Sequence, residues 1–135
     1  SYPDATFAKV RSAHLKKENT DEMNQTISAQ LNNYLVDKPF VSKGFNLSKM
    51  AFDLKLSERS LSNYFNTELV VSFSEWKNNQ RIDFACAMID EGKVNKLTIE
   101  GISLNVGFSS RSKFIDAFKA RKGVTPSAYI KQIKQ

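Results

Sequence analysis

The stretch GFSSRSKFIDAF, Gly107 to Phe118, sets two phenylalanines four residues apart, Phe114 and Phe118, behind a run of small hydroxyl side chains. At 100° per residue that spacing puts both rings on one side of a helix. Elsewhere the helix carries Arg111, Ser112, Ile115, Asp116 and Lys119, a mixture more varied than solvation requires. The same arrangement stands earlier in the chain. Leu47, Met50, Ala51, Leu54, Leu56, Ser57, Leu61 and Phe65 answer to Ile99, Ile102, Ser103, Val106, Phe108, Ser110, Phe114 and Phe118, with one extra residue in the second turn. Beyond the helices, FNTELVVSF and FKARKGVTP keep register, so that Val70 stands opposite Gly123 and Phe73 opposite Pro126. Each unit reads as a short helix, a tight turn and a second helix, a helix-turn-helix stated twice.

Working outward, the remaining periodic segments also have helical spacing, and Gly and Pro together number eight, so the chain is expected to be all-α with about seven helices. Ile27, Leu31, Tyr34 and Leu35 stripe a helix that ends near Asp37. Asn46, Ser57, Thr98 and Thr125 are placed as N-caps. A long helix from about Phe73 to Glu91 turns Trp76, Ile82, Ala85, Cys86 and Ile89 inward and stops at Gly92. Pro126 opens a last helix with Tyr129, Ile130 and Ile133 on its apolar side. The expected organisation is a linker or loosely docked segment over 1–23, lobe one over about 24–71, a connecting helix over about 72–92 and lobe two over about 93–135.

Charge narrows the class of partner. The formal net charge is +6, and from Lys93 onward nine Lys/Arg stand against Glu100 and Asp116, so this third carries +7 and the rest about −1. A basic surface favours an acidic partner, such as nucleic acid or a lipid surface. Cys86 stands alone, which excludes an internal disulfide and a thiol-based zinc site and fits a reducing compartment. No apolar run reaches the roughly 18 residues of a membrane span. The chain opens on Ser rather than Met, and we expect a module of a longer protein whose sensor, receiver or membrane portion precedes it.

The outward faces have the chemistry of base readers. On the helix over 58–68, Leu61, Tyr64 and Phe65 bury one side, leaving Arg59, Ser62 and Asn63 with Asn66 on the other. The repeat assigns Arg111, Ser112, Ile115 and Asp116 of the helix over 110–121 to the same task. Arg matches guanine, Asn adenine and Asp the cytosine amino group, while Ile115, read as exposed, offers a methyl to thymine. Ser57 and Ser110 at helix N-termini, with Lys113, Lys119, Arg121 and Lys122, suit phosphate oxygens. For each residue alone, capping or a solvated face is a sufficient reason; the duplication favours recognition. Arg81, inside the connecting helix, is expected to make an internal ion pair rather than a phosphate contact.

These motifs resemble the DNA-binding domain of the AraC/XylS family of bacterial transcription regulators over roughly residues 27–135. GFSSRSKFIDAFKARKGVTPSAY, Gly107 to Tyr129, looks like that family's second helix-turn-helix, and SFSEWKNNQRIDFA, Ser72 to Ala85, is similar to the start of its connecting helix. The resemblance implies two helix-turn-helix lobes, sequence-specific binding to double-stranded promoter DNA, activation of transcription, and base reading by Arg59, Ser62, Asn63, Arg111, Ser112 and Asp116. It also implies a cytoplasmic location, a sensor or receiver portion elsewhere in the same protein, and contact with RNA polymerase. No cofactor or small-molecule site is implied. Val70, Gly101 and Ser103 depart from the family's usual Gly, Glu and Ala.

No phosphate-binding glycine loop, nucleophile elbow or paired histidine motif points to an enzyme. His14, the single histidine, reads as an exposed residue. Two rival readings remain: a helical protein-interaction module with a basic C-terminal surface, and a sequence-blind DNA-packaging protein.

Overall fold

The computed structural model describes residues 5–93 and 98–134. Residues 1–4 of the lead-in segment and residues 94–97 and 135 of the expected second lobe lie outside the described residues. Among the described residues seven α-helices follow one another: α1 (Ala5–Tyr34), α2 (Leu47–Leu54), α3 (Glu58–Tyr64), α4 (Phe73–Asp90), α5 (Ile99–Asn105), α6 (Arg111–Lys122) and α7 (Pro126–Lys134). Two short 3₁₀ turns, Leu35–Asp37 and Pro39–Val41, join α1 to α2, and a wide π turn over Phe65–Leu69 extends α3. Among the described residues no helix is long and apolar enough to cross a membrane.

Local chemistry sets the helix starts. Asn46, Ser57, Thr98, Ser110 and Thr125 each accept a hydrogen bond from the backbone N–H three residues on, at 2.8, 3.0, 3.0, 3.2 and 3.2 Å. Each satisfies an amide that the first helical turn would otherwise orphan. Ser72 caps α4 in the same way.

The duplicated pattern becomes two cores. One gathers Ile27 and Leu31 from α1, Met50 and Ala51 from α2, Leu61 and Tyr64 from α3, Phe65 and Trp76. The other gathers Ile82, Ala85, Cys86 and Ile89 from α4 with Ile102, Val106, Phe108, Phe114 and Phe118. Helix α4 therefore serves both: Trp76 belongs to the first core, Ile82 onward to the second, and half-buried Phe84 packs against each. Burial also raises the pKa of the Cys86 thiol, which suits a packing role.

Two sequence expectations change, and the lead-in segment takes one of its two expected forms. From Ala5 on, the lead-in segment is the start of α1, continuous with the stripe that docks through Ile27 and Leu31; its charged composition marks exposure, and exposure does not end a helix. Ile133 stays largely exposed rather than joining Tyr129 and Ile130. Arg81 is internal, but its partners are carbonyls: Nε donates to Phe40 O at 2.7 Å and Nη2 to Ser42 O at 3.0 Å. Its guanidinium also lies 5.5 Å from the Phe108 ring. A residue of the connecting helix thus joins the loop before α2 to the turn between α5 and α6 of lobe two.

The departures at Val70 and Ser103 have local meanings. Val70 adopts φ 51°, matching Gly123 at φ 79° in the second unit, so the exit turn is kept although a β-branched residue fills it. The Ser103 hydroxyl is fully buried without a hydrogen-bond partner among the described residues. Ser103→Ala is expected to stabilise the chain by about 1 kcal/mol, because an unpaired hydroxyl leaves the core. Urea unfolding checks this; a lower midpoint would show that the hydroxyl is satisfied.

Candidate nucleic-acid interface

Helices α3 and α6 are the second members of the two units, and each is held by the ridge that faces its own core. In α6 that ridge is Phe114 and Phe118, both fully buried, with ring centroids 5.7 Å apart. Ser112, Asp116 and Lys119 lie about 140–160° around the helix from Phe114 and are exposed. Arg111 and Lys113 are exposed in the first turn. In α3 the ridge is Leu61, Tyr64 and Phe65, leaving Arg59 exposed and Ser62 and Asn63 half-buried at the surface.

Two of the assigned residues have partners within the chain. Arg121 stands seven residues after Phe114, only about 20° from the buried ridge, so it reaches toward α4 while its side chain stays exposed. Its guanidinium donates to both carboxylate oxygens of Asp83, at 3.2 and 3.0 Å, and this pairing raises its pKa. Ile115 is not the exposed branched residue of the sequence reading. It is half-buried on the flank of α6 and packs against the second core, which accounts for it without a thymine methyl.

The phosphate candidates divide likewise. The Ser57 hydroxyl accepts from the Ser60 amide and donates to the Ser60 hydroxyl at 2.9 Å. Ser110 accepts from the Lys113 amide at 3.2 Å. Both serines are thus engaged as caps. Lys113 and Lys119 are exposed, and the exposed Lys122 ammonium lies 5.8 Å from the Tyr129 ring. That phenol donates to Asp90 at 3.0 Å, and burial together with this bond pushes its pKa up to about 12.

Two features escaped sequence reasoning. Asp116 lines a cleft between the lobes, facing Lys43, Lys77 and Asn78 across it; this neighbourhood joins residues far apart in the chain and has no local signature. Burial, followed by the nearby Arg81 charge, lowers the pKa of Lys77. On the other lobe, Arg59, Ser62, Asn63 and Asn66 form one wall of an open cleft whose second wall is α1. Asn24, buried there, fastens α1 to the end of α3 by donating to Thr67 Oγ1 at 3.2 Å and Glu68 Oε1 at 3.1 Å.

Comparison with known proteins agrees with this geometry. A family model described as "Helix-turn-helix domain" matches residues 50–132. The chain is 32% identical over 85 residues to the virulence regulon transcriptional activator VirF of Yersinia enterocolitica; the match covers 63% of this chain but 30% of the relative. It therefore spans about a third of the length of such relatives. Among solved structures, the C-terminal domain of AraT, a response regulator from Geobacillus stearothermophilus, superposes with TM-score 0.62 at 26% identity, over 84% of each chain. A Chromobacterium violaceum regulator with an AraC-type DNA-binding domain shares the fold, with TM-score 0.66 at 21% identity over 85% of this chain and 96% of its own. With its two capped helix-turn-helix units on a shared α4, the chain belongs to the AraC/XylS family of helix-turn-helix transcription regulators, over the DNA-binding part of that family.

Proposed function

We propose that this chain is the sequence-reading output domain of a bacterial transcription activator, setting α3 and α6 into successive major grooves of promoter DNA. The observation that carries the reading is the duplication itself: two second helices, each capped by a serine and buried by one ridge, each presenting a polar face. Helix α4, with 18 residues, is about 27 Å long, comparable with the roughly 34 Å of one duplex turn. Residues 24–135 form the DNA-binding domain, and the first 23 lead into it from a sensor or receiver portion. The regulator works in the cytoplasm and meets RNA polymerase at the promoter.

Within the interface, Arg59, Ser62 and Asn63 of α3 and Arg111, Ser112 and Asp116 of α6 read base edges. Lys113, Lys119 and Lys122 neutralise phosphates, and Ser57 and Ser110 contribute amide-rich helix starts. Selection of bound duplexes from a random pool tests the whole reading. The selected site is expected to bind on the order of a thousandfold or more tighter than random duplex. Equal binding to both would favour the packaging alternative.

The division of labour has its own test. Ser112→Ala or Asp116→Ala should change base preference at one site position by about 1 to 3 kcal/mol, whereas Lys122→Ala should weaken all sequences alike and lower the salt slope by about 1. Parallel effects in a competition panel would show that the roles are misassigned.

A further inference from the structure

The cleft beside α3 has its second wall in α1. Asn19, Thr20, Met23 and Asn24 of α1 line it opposite Arg59 and Asn63, and the helix continues toward its N-terminus beyond them. Carrying the cleft-facing side backwards at 100° per residue brings Lys9 and Lys16 to within about 20° of its centre. Both are exposed. The acidic residues of this stretch, Glu18, Asp21 and Glu22, fall about 130° or more away, and His14 pairs with Glu18 on that far side at 3.0 Å. The side continuous with the candidate reading surface thus carries Lys9 and Lys16 and none of these carboxylates, whereas the opposite side holds Glu18, Asp21 and Glu22 together with Arg11 and His14.

We infer that the first half of α1 is an additional DNA-backbone contact, in which Lys9 and Lys16 take phosphates beside the groove that α3 enters. This rests on the DNA-reading function proposed above. A duplex seated on Arg59 and Asn63 would have α1 along its flank, and a flank of DNA is a row of phosphates. Lys9 and Lys16 are seven residues apart, about 10 Å along the helix, equal to about three nucleotide steps of one strand. A neutral or acidic helix in that place would repel or merely cover the duplex; Lys9 and Lys16 attract it.

The experiment measures affinity of the chain for its selected duplex across a salt series. Lys9→Gln with Lys16→Gln should lower the slope of log K against log salt by about 2, since each phosphate contact contributes about 0.9. Preference for the selected site over random duplex should not change. Arg11→Gln, on the far side, should leave the slope as it was, and circular dichroism reads whether α1 remains helical. An unchanged slope in the double variant overturns the inference, as does tighter binding, which would mean that α1 shields the α3 face. In either case an intact preference of the unaltered chain leaves the DNA-reading proposal standing. Loss of that preference in the unaltered chain would instead sink the proposal itself.

Discussion

Phe118→Ala is expected to cost about 3 to 5 kcal/mol of folding stability, enough to leave a marginal domain largely unfolded near its working temperature. The ring is fully buried and meets Phe114 at 5.7 Å and Tyr129 at 5.5 Å, both edge-to-face. Removing it empties the place where α6 and α7 meet, and α6 packs there on the part of α4 that carries Ile82 and Ala85. Flanking aromatic rings collapse poorly into a gap, which keeps the cost near the upper end of the range. Urea denaturation followed by fluorescence of Trp76 in the other core also tests the linkage through α4. One transition with a lower midpoint is expected. A loss below about 1 kcal/mol would show that α6 is not seated by this ridge.

Gly107→Ala should destabilise by about 2 to 6 kcal/mol, for two separable reasons. Gly107 sits at φ 108°, where an L side chain is strained by about 1 to 3 kcal/mol. An added Cβ would also stand 2.7 Å from Val41 O and 2.8 Å from Arg81 Nε, and overpacking costs a further amount of about 1 to 3 kcal/mol. Gly92 separates the two causes. Its φ is 81°, yet nothing lies within 4 Å of the added carbon, so Gly92→Ala should show the backbone cost alone, about 1 to 2 kcal/mol. If thermal melts gave the two variants equal losses, the close approach of lobe one to this turn would be refuted. Because the crowded atoms belong to Val41 and Arg81, Gly107→Ala should also lose more affinity for a two-groove site than for a single groove.

What the sequence made legible is what short-range physics decides. The caps at Asn46, Ser57, Thr98, Ser110 and Thr125 follow from a hydroxyl or amide side chain three residues before the amide it serves. The buried ridges of α3 and α6 follow from periodicity, and the repeat put the two in register. The reach of Arg121 toward α4 was legible too: counted from Phe114, its place on the wheel already set it on that side, although its charge suggested phosphate. Ile115 lies on the flank, where wheel position alone does not separate exposed from half-buried; α5 and α7 decide. The partners of Arg81 stand 41 and 39 residues away in the chain, and no local pattern announces that a buried cation will be held by carbonyls. The extent of α1 was hidden for the opposite reason. Its first half buries little, so there was no stripe to read, and only the direction set by Ile27 and Leu31 puts it beside α3.

The Arg81 staple has a consequence for how the two lobes respond to their surroundings. Burial lowers the pKa of its guanidinium, but a group that begins so far above neutrality remains protonated at any acidity a cell reaches. Neither carbonyl partner titrates. The joint between loop, connecting helix and second lobe is accordingly indifferent to proton concentration, and Arg81 does not let acidity alter how α3 and α6 are offset.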